Sequence, residues 1–209
     1  VGMPSNPLDV NGTLFFGGNS PENNSLLLKT DGSVAGTEIV KEGIYGESYV
    51  AGGLLYIIGS DIWRSDGTTA GTYVIYTFPE GRGLEMAVGA DSKVYFVSRD
   101  GNYDYELWQS SGSAATTTKI ADLPGFFGRM ATVGDRLFFV GYDADHADEL
   151  WTSDGTPAGT KLVKDIQPGN NSSAIDYLIA ADDHVFFKAN GATQSELLWR
   201  SDGTTAGTV

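Results

Sequence analysis

The stretch that decides the fold is 151–160, WTSDGTPAGT, which returns almost unchanged at 63–72 and again at 199–208. Two weaker copies begin at Leu28 and Trp108. All 4 tryptophans of the chain stand in the first position of a copy, and Leu28 takes that position in the remaining copy. A phrase that recurs at a regular interval is the signature of a repeat architecture, so the period of this chain governs every other feature.

A second landmark has the same period. Short apolar runs begin at Leu14, Leu54, Val94, Leu137 and Val185, with spacings of 40, 40, 43 and 48 residues, and a glycine or acidic residue precedes each run. Five units therefore account for the whole chain as one domain without a linker. Their approximate bounds are 1–43, 44–78, 79–122, 123–166 and 167–209.

Each unit has the pattern of four short strands, which is clearest in the fourth unit. Strands are predicted there at 129–133, 136–141, 149–153 and 160–165, with Gly-Asp and Asp-Gly turns that tolerate positive φ. β-branched and aromatic residues crowd these segments, and no segment has a convincing helical period. The sequence therefore predicts an all-β protein built from four-stranded antiparallel sheets.

The strands are apolar on both faces, as in 137–140, LFFV, so each sheet must be covered on both sides. Repeats of about 40–50 residues that contain tryptophan match the blades of a β-propeller, in which sheets stack around an axis. We predict a five-bladed β-propeller, closed by pairing of the N- and C-terminal segments, with residues 1–3 at the outer strand of the last blade. The alternative is an open fragment of a longer array, which would expose two blade faces and aggregate or dimerise.

The phrases Glu106-Leu-Trp108 and Glu149-Leu-Trp151, together with Ser-Asp-Gly-Thr-x-Ala-Gly-Thr, resemble the bacterial ELWxxDGT repeat family. This resemblance covers the whole chain and implies a β-propeller in a large secreted or surface protein. It implies no catalytic residues. The third unit departs from the pattern, because Ser111 replaces the aspartate and Thr116 replaces the second glycine, so its turn must be built differently. The count of five blades is similar in outline to tachylectin-like lectins.

Composition excludes several classes of protein. The chain has 209 residues, a net charge of −14 and no cysteine. Nucleic acid and anionic lipid are excluded as partners because an acidic surface repels phosphate. Disulfides, thiolate metal sites and cysteine nucleophiles are excluded as well. No apolar run could span a bilayer and no signal peptide is visible, so we expect no membrane insertion.

The repeated phrase is interpreted as structural. An aspartate before glycine accepts backbone N–H bonds in a tight turn, and the tryptophan fills the gap between blades. Function is expected where the repeats differ, in the loops between blades and between second and third strands. The first kind of loop combines aromatic, amide and charged residues suited to a sugar. The predicted ligand-binding residues are Tyr45, Glu47, Arg82, Phe127, Arg129 and Asn171.

Two loops between second and third strands are acidic. The first has Asp100, Asn102 and Asp104 at the spacing that lets oxygens converge on calcium, although the rest of an EF-hand loop is missing. The second offers Asp143, Asp145 and Asp148. Calcium is thus an optional ligand, and no cofactor is required. The alternative is a solvated polar hairpin.

These features favour a non-catalytic module, extracellular or on the cell surface, that binds a glycan or another surface protein. A structural or adhesive spacer is the first alternative. The second is a glycosidase or lyase in which carboxylates such as Glu85 and Asp176 face each other across the central channel. The sequence has no motif of a known catalytic constellation, and its two histidines, His146 and His184, stand alone.

Overall fold

The computed structural model describes residues 5–191 and 196–209; the side chains of Ser5, Asn6 and Phe127 lie outside the description. Within this part, the chain forms 19 strands and a single short 3-10 helix, Ala114–Thr116. The strands make five antiparallel sheets that follow one another along the sequence. The prediction of an all-β protein is therefore confirmed. No helix of the described residues has the length and hydropathy needed to cross a membrane.

The first four sheets each contain four strands, paired in chain order, and the fifth contains three. Sheets 1 and 2 consist of β1 (Ser5–Val10), β2 (Thr13–Asn19), β3 (Ser25–Thr30) and β4 (Glu38–Glu42), then β5 (Glu47–Ala51), β6 (Leu54–Ile58), β7 (Asp61–Ser65) and β8 (Tyr73–Thr77). Sheets 3 and 4 consist of β9 (Arg82–Gly89), β10 (Val94–Asp100), β11 (Tyr105–Ser110) and β12 (Thr118–Leu123), then β13 (Phe126–Val133), β14 (Arg136–Asp143), β15 (Ala147–Ser153) and β16 (Lys161–Lys164). Sheet 5 consists of β17 (Asp176–Ala181), β18 (His184–Asn190) and β19 (Glu196–Ser201).

The core lies between the sheets. Four clusters of buried side chains join sheet 1 to 2, 2 to 3, 3 to 4 and 4 to 5. We call the face that a sheet turns toward the next sheet its forward face, and the opposite one its back face. Strand alternation sends one aromatic or apolar residue to each face in turn, which explains why both faces are apolar. The forward faces carry a buried aromatic ring at equivalent positions: Phe15, Tyr56, Tyr95 and Phe138.

The tryptophans lie on the back faces and fill the gap between sheets, as predicted. Trp63, Trp108, Trp151 and Trp199 are each partly buried against a different one of the four clusters. Trp108 stacks on Phe96 of its own sheet with 6.0 Å between ring centroids. Its indole N–H donates to Glu106 at 3.2 Å. The phrase therefore begins with a residue that fills the space between two sheets.

The Asp-Gly turn of the phrase is held by its own side chains. In the fourth copy, Asp154 Oδ1 accepts the backbone N–H of Thr156 at 2.9 Å and its hydroxyl at 2.7 Å. Ser153 and Thr160 join their hydroxyls at 2.7 Å across the turn. A Cβ on Gly159 would overlap the Asp154 carboxylate, so a glycine is needed wherever the aspartate is present. These contacts account for the aspartate, the second glycine and the hydroxyl residues of the turn without a ligand.

The turn also meets the preceding sheet. Gly67, at a φ of +87°, lies so close to Phe15 that an added Cβ would be 2.9 Å from the ring. Gly203 lies over Phe138 in the same way, at 3.2 Å. Lys29 Nζ donates to the carbonyl oxygen of Gly67 at 2.8 Å. The phrase thus seats each sheet on the forward face of the sheet before it.

Closure into a five-bladed ring stays a prediction. Residues 1–3, expected at the outer strand of the last blade, lie outside the described residues. Ser5–Val10 forms the first strand of sheet 1 and pairs with β2. None of the four clusters of described residues joins sheet 5 to sheet 1. Among the described residues, Val209 alone extends sheet 5 at the outer edge of β19, and its N–H and C=O pair with Arg200.

Candidate functional site

The topology gathers the predicted loops at one end of the sheets. In every sheet, the first strand begins at the same end at which the second strand turns into the third, because neighbouring strands are antiparallel. The chain also passes from one sheet to the next at this end. We call it the connection rim; it includes the loops 20–24, 101–104 and 144–146 and the beginnings of β5, β9, β13 and β17. The Asp-Gly turns lie at the opposite end.

Arg82, at the beginning of β9, is the centre of an ion cluster on this rim. Its guanidinium lies 3.2 Å from Glu106 Oε2 and 3.7 Å from Asp100 Oδ2, and it donates to the Asp104 carbonyl at 2.9 Å. Lys119 adds a second cation, 3.0 Å from Glu106 Oε1. The carboxylates of Asp100 and Glu106 each already have a cation beside them. Arg82 therefore stabilises its own sheet in the first place.

A second charged pair stands beside the first. Arg99 forms an ion pair with Glu85 and lies over the ring of Tyr103, 5.0 Å from its centroid. The Glu85 carboxylate is the main cause that raises the pKa of Arg99. Tyr103 has a φ of 64°, which is rare for an aromatic residue, and the residue is 65 % exposed. The loop thus presents an aromatic face backed by a guanidinium.

Arg129 connects sheets 4 and 5 at the rim. Its Nε and one terminal nitrogen donate to the same oxygen of Asp176, at 3.0 and 2.9 Å. The guanidinium hydrogen bonds hold the pKa of Asp176 below its ordinary value. Next to it, Tyr177 has a φ of 53° and is 65 % exposed. The carboxylates Glu85 and Asp176 therefore pair separately with arginines, and no contact between them supports a glycosidase pair.

The remaining predicted ligand-binding residues lie on the same rim. Tyr45 is exposed, and its hydroxyl is 3.2 Å from that of Ser60. Glu47 accepts a hydrogen bond from Tyr49 at 2.5 Å. Burial, and after it this carboxylate, raises the pKa of Tyr49. Asn171 is exposed and its amide donates to the Pro168 carbonyl at 3.0 Å. Phe127 is in β13, with its side chain outside the description. The rim thus collects these residues without enclosing them in one pocket.

The two acidic loops use their carboxylates within the turn. Asp100 Oδ1 accepts the backbone N–H of Asn102 at 2.9 Å and that of Asp104 at 3.0 Å, which lowers the pKa of Asp100. No group of three or more histidine, cysteine, aspartate or glutamate residues in the described part of the chain could hold a metal. Calcium at Asp100, Asn102 and Asp104 stays a prediction, without support from this geometry.

The second acidic loop is similar. Asp143 Oδ1 accepts the N–H groups of Asp145 at 2.9 Å and His146 at 2.8 Å, and the His146 ring nitrogen lies 2.9 Å away. The Asp143 carboxylate raises the pKa of His146. Asp148 Oδ2 accepts the Ser172 hydroxyl at 3.0 Å and so ties this loop to the connection between sheets 4 and 5. Calcium at Asp143, Asp145 and Asp148 also stays a prediction.

Sequence reasoning missed Glu149. Its side chain is fully buried and accepts the backbone N–H groups of Ile166 at 3.2 Å and Gln167 at 3.0 Å. Burial raises the pKa of this carboxyl to about 7. The glutamate belongs to the repeated Glu-Leu-Trp phrase. Only the fold shows that its carboxyl group binds the backbone of the segment that connects sheets 4 and 5. The same type of residue in sheet 3, Glu106, is ion-paired at the rim.

No family model matches this sequence, and no curated protein matches it either. Solved structures match over nearly its whole length. A prolyl endopeptidase superimposes with a TM-score of 0.66 at 16% identity over 98% of this chain and 33% of its own. A puromycin-hydrolysing peptidase of Mycobacterium tuberculosis superimposes with a TM-score of 0.62 at 14% identity, and the match covers 99% of this chain and 37% of the peptidase. The acylaminoacyl peptidase of Pyrococcus horikoshii superimposes with a TM-score of 0.56 at 14% identity, and the match covers 98% of this chain and 38% of the peptidase.

The chain thus spans about a third of the length of these peptidases. The likeness establishes a β-propeller-like fold, and the propeller domain is the non-catalytic part of those proteins. The predicted function, a lectin-like module for a glycan or surface protein with its spacer and glycosidase alternatives, is wrong on this finding. That prediction rested on the aromatic, amide and charged residues of the loops between sheets and on the count of five units, and neither feature is specific to one function, because the same fold serves proteins of unrelated activity.

Proposed function

We propose that this chain is a non-catalytic β-propeller unit of a peptidase-type protein and that it takes up peptides at the connection rim. The observation that carries the proposal is the match of 98–99% of the chain to about a third of three peptidases. In those proteins the propeller part is non-catalytic. A unit of this kind affects catalysis through the substrates that it holds beside the catalytic unit.

The rim has the chemistry that peptide binding needs. Tyr45, Tyr103 and Tyr177 each expose more than half of their side chain there. Tyrosine offers a rigid apolar face together with a hydroxyl, and it loses little conformational entropy on binding. Tyr103 and Tyr177 also adopt left-handed backbone conformations, which cost energy and concentrate at functional positions. With a net charge of −14, the unit favours peptides that carry lysine or arginine.

The titratable groups support a non-catalytic role. His146 and His184 each place a ring nitrogen beside the aspartate of their own loop, Asp143 at 2.9 Å and Asp183 at 2.5 Å. A serine hydrolase needs a histidine within hydrogen-bond reach of a nucleophilic hydroxyl. Neither histidine has such a hydroxyl among its described hydrogen-bond partners.

The test combines turnover and binding. The chain is treated with a fluorophosphonate probe for nucleophilic serines and with chromogenic prolyl and aminoacyl substrates, and we expect neither labelling nor release of chromophore. A fluorescein-labelled lysine-rich peptide, titrated with the chain in an anisotropy assay, should bind saturably. Tyr103→Ala combined with Tyr177→Ala should weaken this binding at least tenfold.

The matched control is Tyr73→Ala, which removes another exposed tyrosine from the outer strand of sheet 2. Binding should be unchanged in this variant. Turnover that survives purification to homogeneity would refute the non-catalytic role. Equal binding by the chain and both variants, or no binding, would refute peptide uptake at the rim.

Membership in the ELWxxDGT repeat family and a position outside the cell remain part of this proposal. Both rest on the five copies of the phrase and on the resemblance that they carry. Surface biotinylation of source cells, followed by detection with an antibody against the chain, tests the location. Labelling of intact cells is the expected result, and labelling only after lysis would contradict it.

A further inference from the structure

The fourth strand of sheets 1 to 4 carries one residue that lies beside the tryptophan of the next sheet. On each sheet this residue pairs with the one that precedes the first position of the repeated phrase, so the four positions are equivalent in register. They are occupied by Lys41, Tyr76, Ala121 and Lys164. We call this the cover position, because three of its four residues cover an indole ring.

Lysine and tyrosine occupy the cover position of the first two sheets. Lys41 Nζ lies 6.0 Å from the centroid of the Trp63 ring. The centroid of the Tyr76 ring lies 4.9 Å from that of Trp108. A cation or an aromatic ring against an indole is a favourable contact. The cover position therefore supplies each of these tryptophans with a partner from the preceding sheet.

Lys164 contacts both ends of the phrase in the next sheet. Its Nζ lies 5.5 Å from the centroid of the Trp199 ring and donates to the Thr208 carbonyl oxygen at 2.7 Å. Trp199 and Thr208 are the first and last residues of the fifth copy of the phrase. The interface between sheets 4 and 5 thus contains a site for a lysine ammonium group, made of an aromatic face and a carbonyl oxygen, and the chain fills this site with its own side chain.

The interface between sheets 3 and 4 lacks this side chain, because its cover position holds Ala121. In the described part of the chain, no lysine or arginine lies over the Trp151 ring. A cavity of ≈ 90 Å³ is present instead, and its walls include Ala121, Trp151 and Thr160. Trp151 and Thr160 are the first and last residues of the fourth copy of the phrase. Since one water molecule needs only about 10–15 Å³ of such volume, the cavity has room for a side chain.

The surroundings of this cavity suit a lysine. Among the described residues that form its walls, Asp122 alone is charged, and it is exposed. Lys119, the basic residue of β12, lies 2.7 Å from Asp122 and 3.0 Å from Glu106, so it is held on its own sheet. Leu123 and Phe139 provide apolar walls for methylene groups. The cavity therefore matches an aliphatic chain that ends in a positive charge.

We propose that the cavity over Trp151 binds the lysine side chain of a peptide held at the connection rim. The ammonium group lies over the indole ring and donates to the Thr160 carbonyl, as the ammonium group of Lys164 does in the next interface. Residues 124–125, which connect sheets 3 and 4 just before β13, also form walls of the cavity, so it adjoins the rim. The inference rests on the proposed function and specifies which side chain of the peptide is recognised.

The direct test uses Nα-acetyl-lysine N-methylamide as the probe and follows the indole N–H signals of the 4 tryptophans in the ¹⁵N-labelled chain. Trp151→Phe assigns the signal of Trp151. The probe should shift this signal saturably and leave the other tryptophan signals in place. The matched norleucine compound has an apolar chain of similar length without the ammonium group, and it should bind at least tenfold more weakly.

Two variants fill the cavity with side chains that the chain uses at the other cover positions. Ala121→Lys supplies the side chain of Lys164, and Ala121→Tyr supplies that of Tyr76. Each should abolish the effect of the probe on Trp151, and circular dichroism establishes that each retains the β fold. Lys164→Ala is the matched gain of function, because it uncovers Trp199 and should make the Trp199 signal respond to the probe as well.

Three results would overturn the proposal. They are a Trp151 signal that does not move at any probe concentration, an equal response to the norleucine compound, and an unchanged response in folded Ala121→Lys and Ala121→Tyr. The labelled lysine-rich peptide separates this inference from the proposed function. If the peptide binds equally to the unaltered chain and to Ala121→Lys, the lysine site is refuted and uptake at the rim stands. If the probe shifts Trp151 but no peptide binds, uptake at the rim is refuted and the lysine site stands.

Discussion

The third copy of the phrase differs from the others at two positions, and the structure explains the pair of changes as one event. In the fourth copy, the Asp154 carboxylate fills the place that a Cβ on Gly159 would need. In the third copy, Ser111 replaces the aspartate, and Thr116 Oγ1 accepts the N–H groups of Ser111 at 3.3 Å and Ser113 at 3.2 Å. The threonine hydroxyl thus replaces the aspartate as the acceptor that holds the turn. We predict that the two positions can be exchanged only together.

The magnitudes follow from the contacts. Gly159→Thr forces a side chain onto the Asp154 carboxylate, and overpacking of this kind costs about 1–3 kcal/mol. Asp154→Ser removes two hydrogen bonds, from the N–H and the hydroxyl of Thr156, at about 1 kcal/mol each. The double variant recreates the turn of the third copy, so its loss should be near 1 kcal/mol. The coupling between the two positions is then about 2–4 kcal/mol.

Urea unfolding followed by tryptophan fluorescence measures the four free energies of this cycle. The mirror cycle, Ser111→Asp with Thr116→Gly, is the matched control, because it should convert the third turn to the common type. If the losses of the two single variants simply add in the double variant, the account of the turn is refuted.

Two further predictions concern buried side chains. Glu149→Gln should flatten the pH dependence of the free energy of unfolding. The pKa of Glu149 in the folded state, about 7, lies above its ordinary value of 4.5. The stability that Glu149 contributes is therefore complete below pH 4.5 and is lost as the pH rises through 7. The difference between wild type and variant, from urea unfolding at several pH values, should change by about 3 kcal/mol over this window, and a constant difference would contradict the raised pKa. Trp151→Ala should lower the free energy of unfolding by about 3 kcal/mol, because the partly buried indole fills the gap between sheets 3 and 4; a loss under about 1 kcal/mol would show that it is not packed there.

Much of the fold could be predicted because the same pattern of strands and turns occurs five times in the sequence. The sequence predicts strands in the fourth unit at 129–133, 136–141, 149–153 and 160–165, and the structure has Phe126–Val133, Arg136–Asp143, Ala147–Ser153 and Lys161–Lys164. The spacing predicts that the apolar run of the second unit begins at Leu54, but the pairing of Trp63 with Ile57 aligns Leu55 with Leu14. Closure could not be predicted securely, because the periodicity determines the stacking of neighbours but not the number that completes a turn.

The site could be predicted only as a region. The loops that differ between repeats do meet at one rim, as the alternation of strand directions requires. The sequence could not show that Arg82 and Arg129 are engaged in ion pairs, since their partners lie on other strands. Asp100 bonds N–H groups of its own loop, and the spacing that suggests calcium permits this use of the carboxylate as well. Nor could it distinguish Glu149 from Glu106, because the difference depends on which loop covers each carboxylate. Function was the hardest feature to predict, because the most conspicuous residues of the sequence, those of the repeated phrase, hold the sheets together.

The central claim is that each sheet is seated on the sheet before it in chain order. Ser92, in the hairpin of sheet 3, donates from its N–H to Asp135 of sheet 4 at 2.8 Å and from its hydroxyl at 2.5 Å. Since the chain has no cysteine, the variant Ser92→Cys with Asp135→Cys can form only one disulfide. The account predicts that mild oxidation of the folded protein closes this disulfide almost completely, and that Ser92→Cys with Asp183→Cys of sheet 5 stays reduced. A reduced first pair, or a closed second pair, would contradict the stacking order.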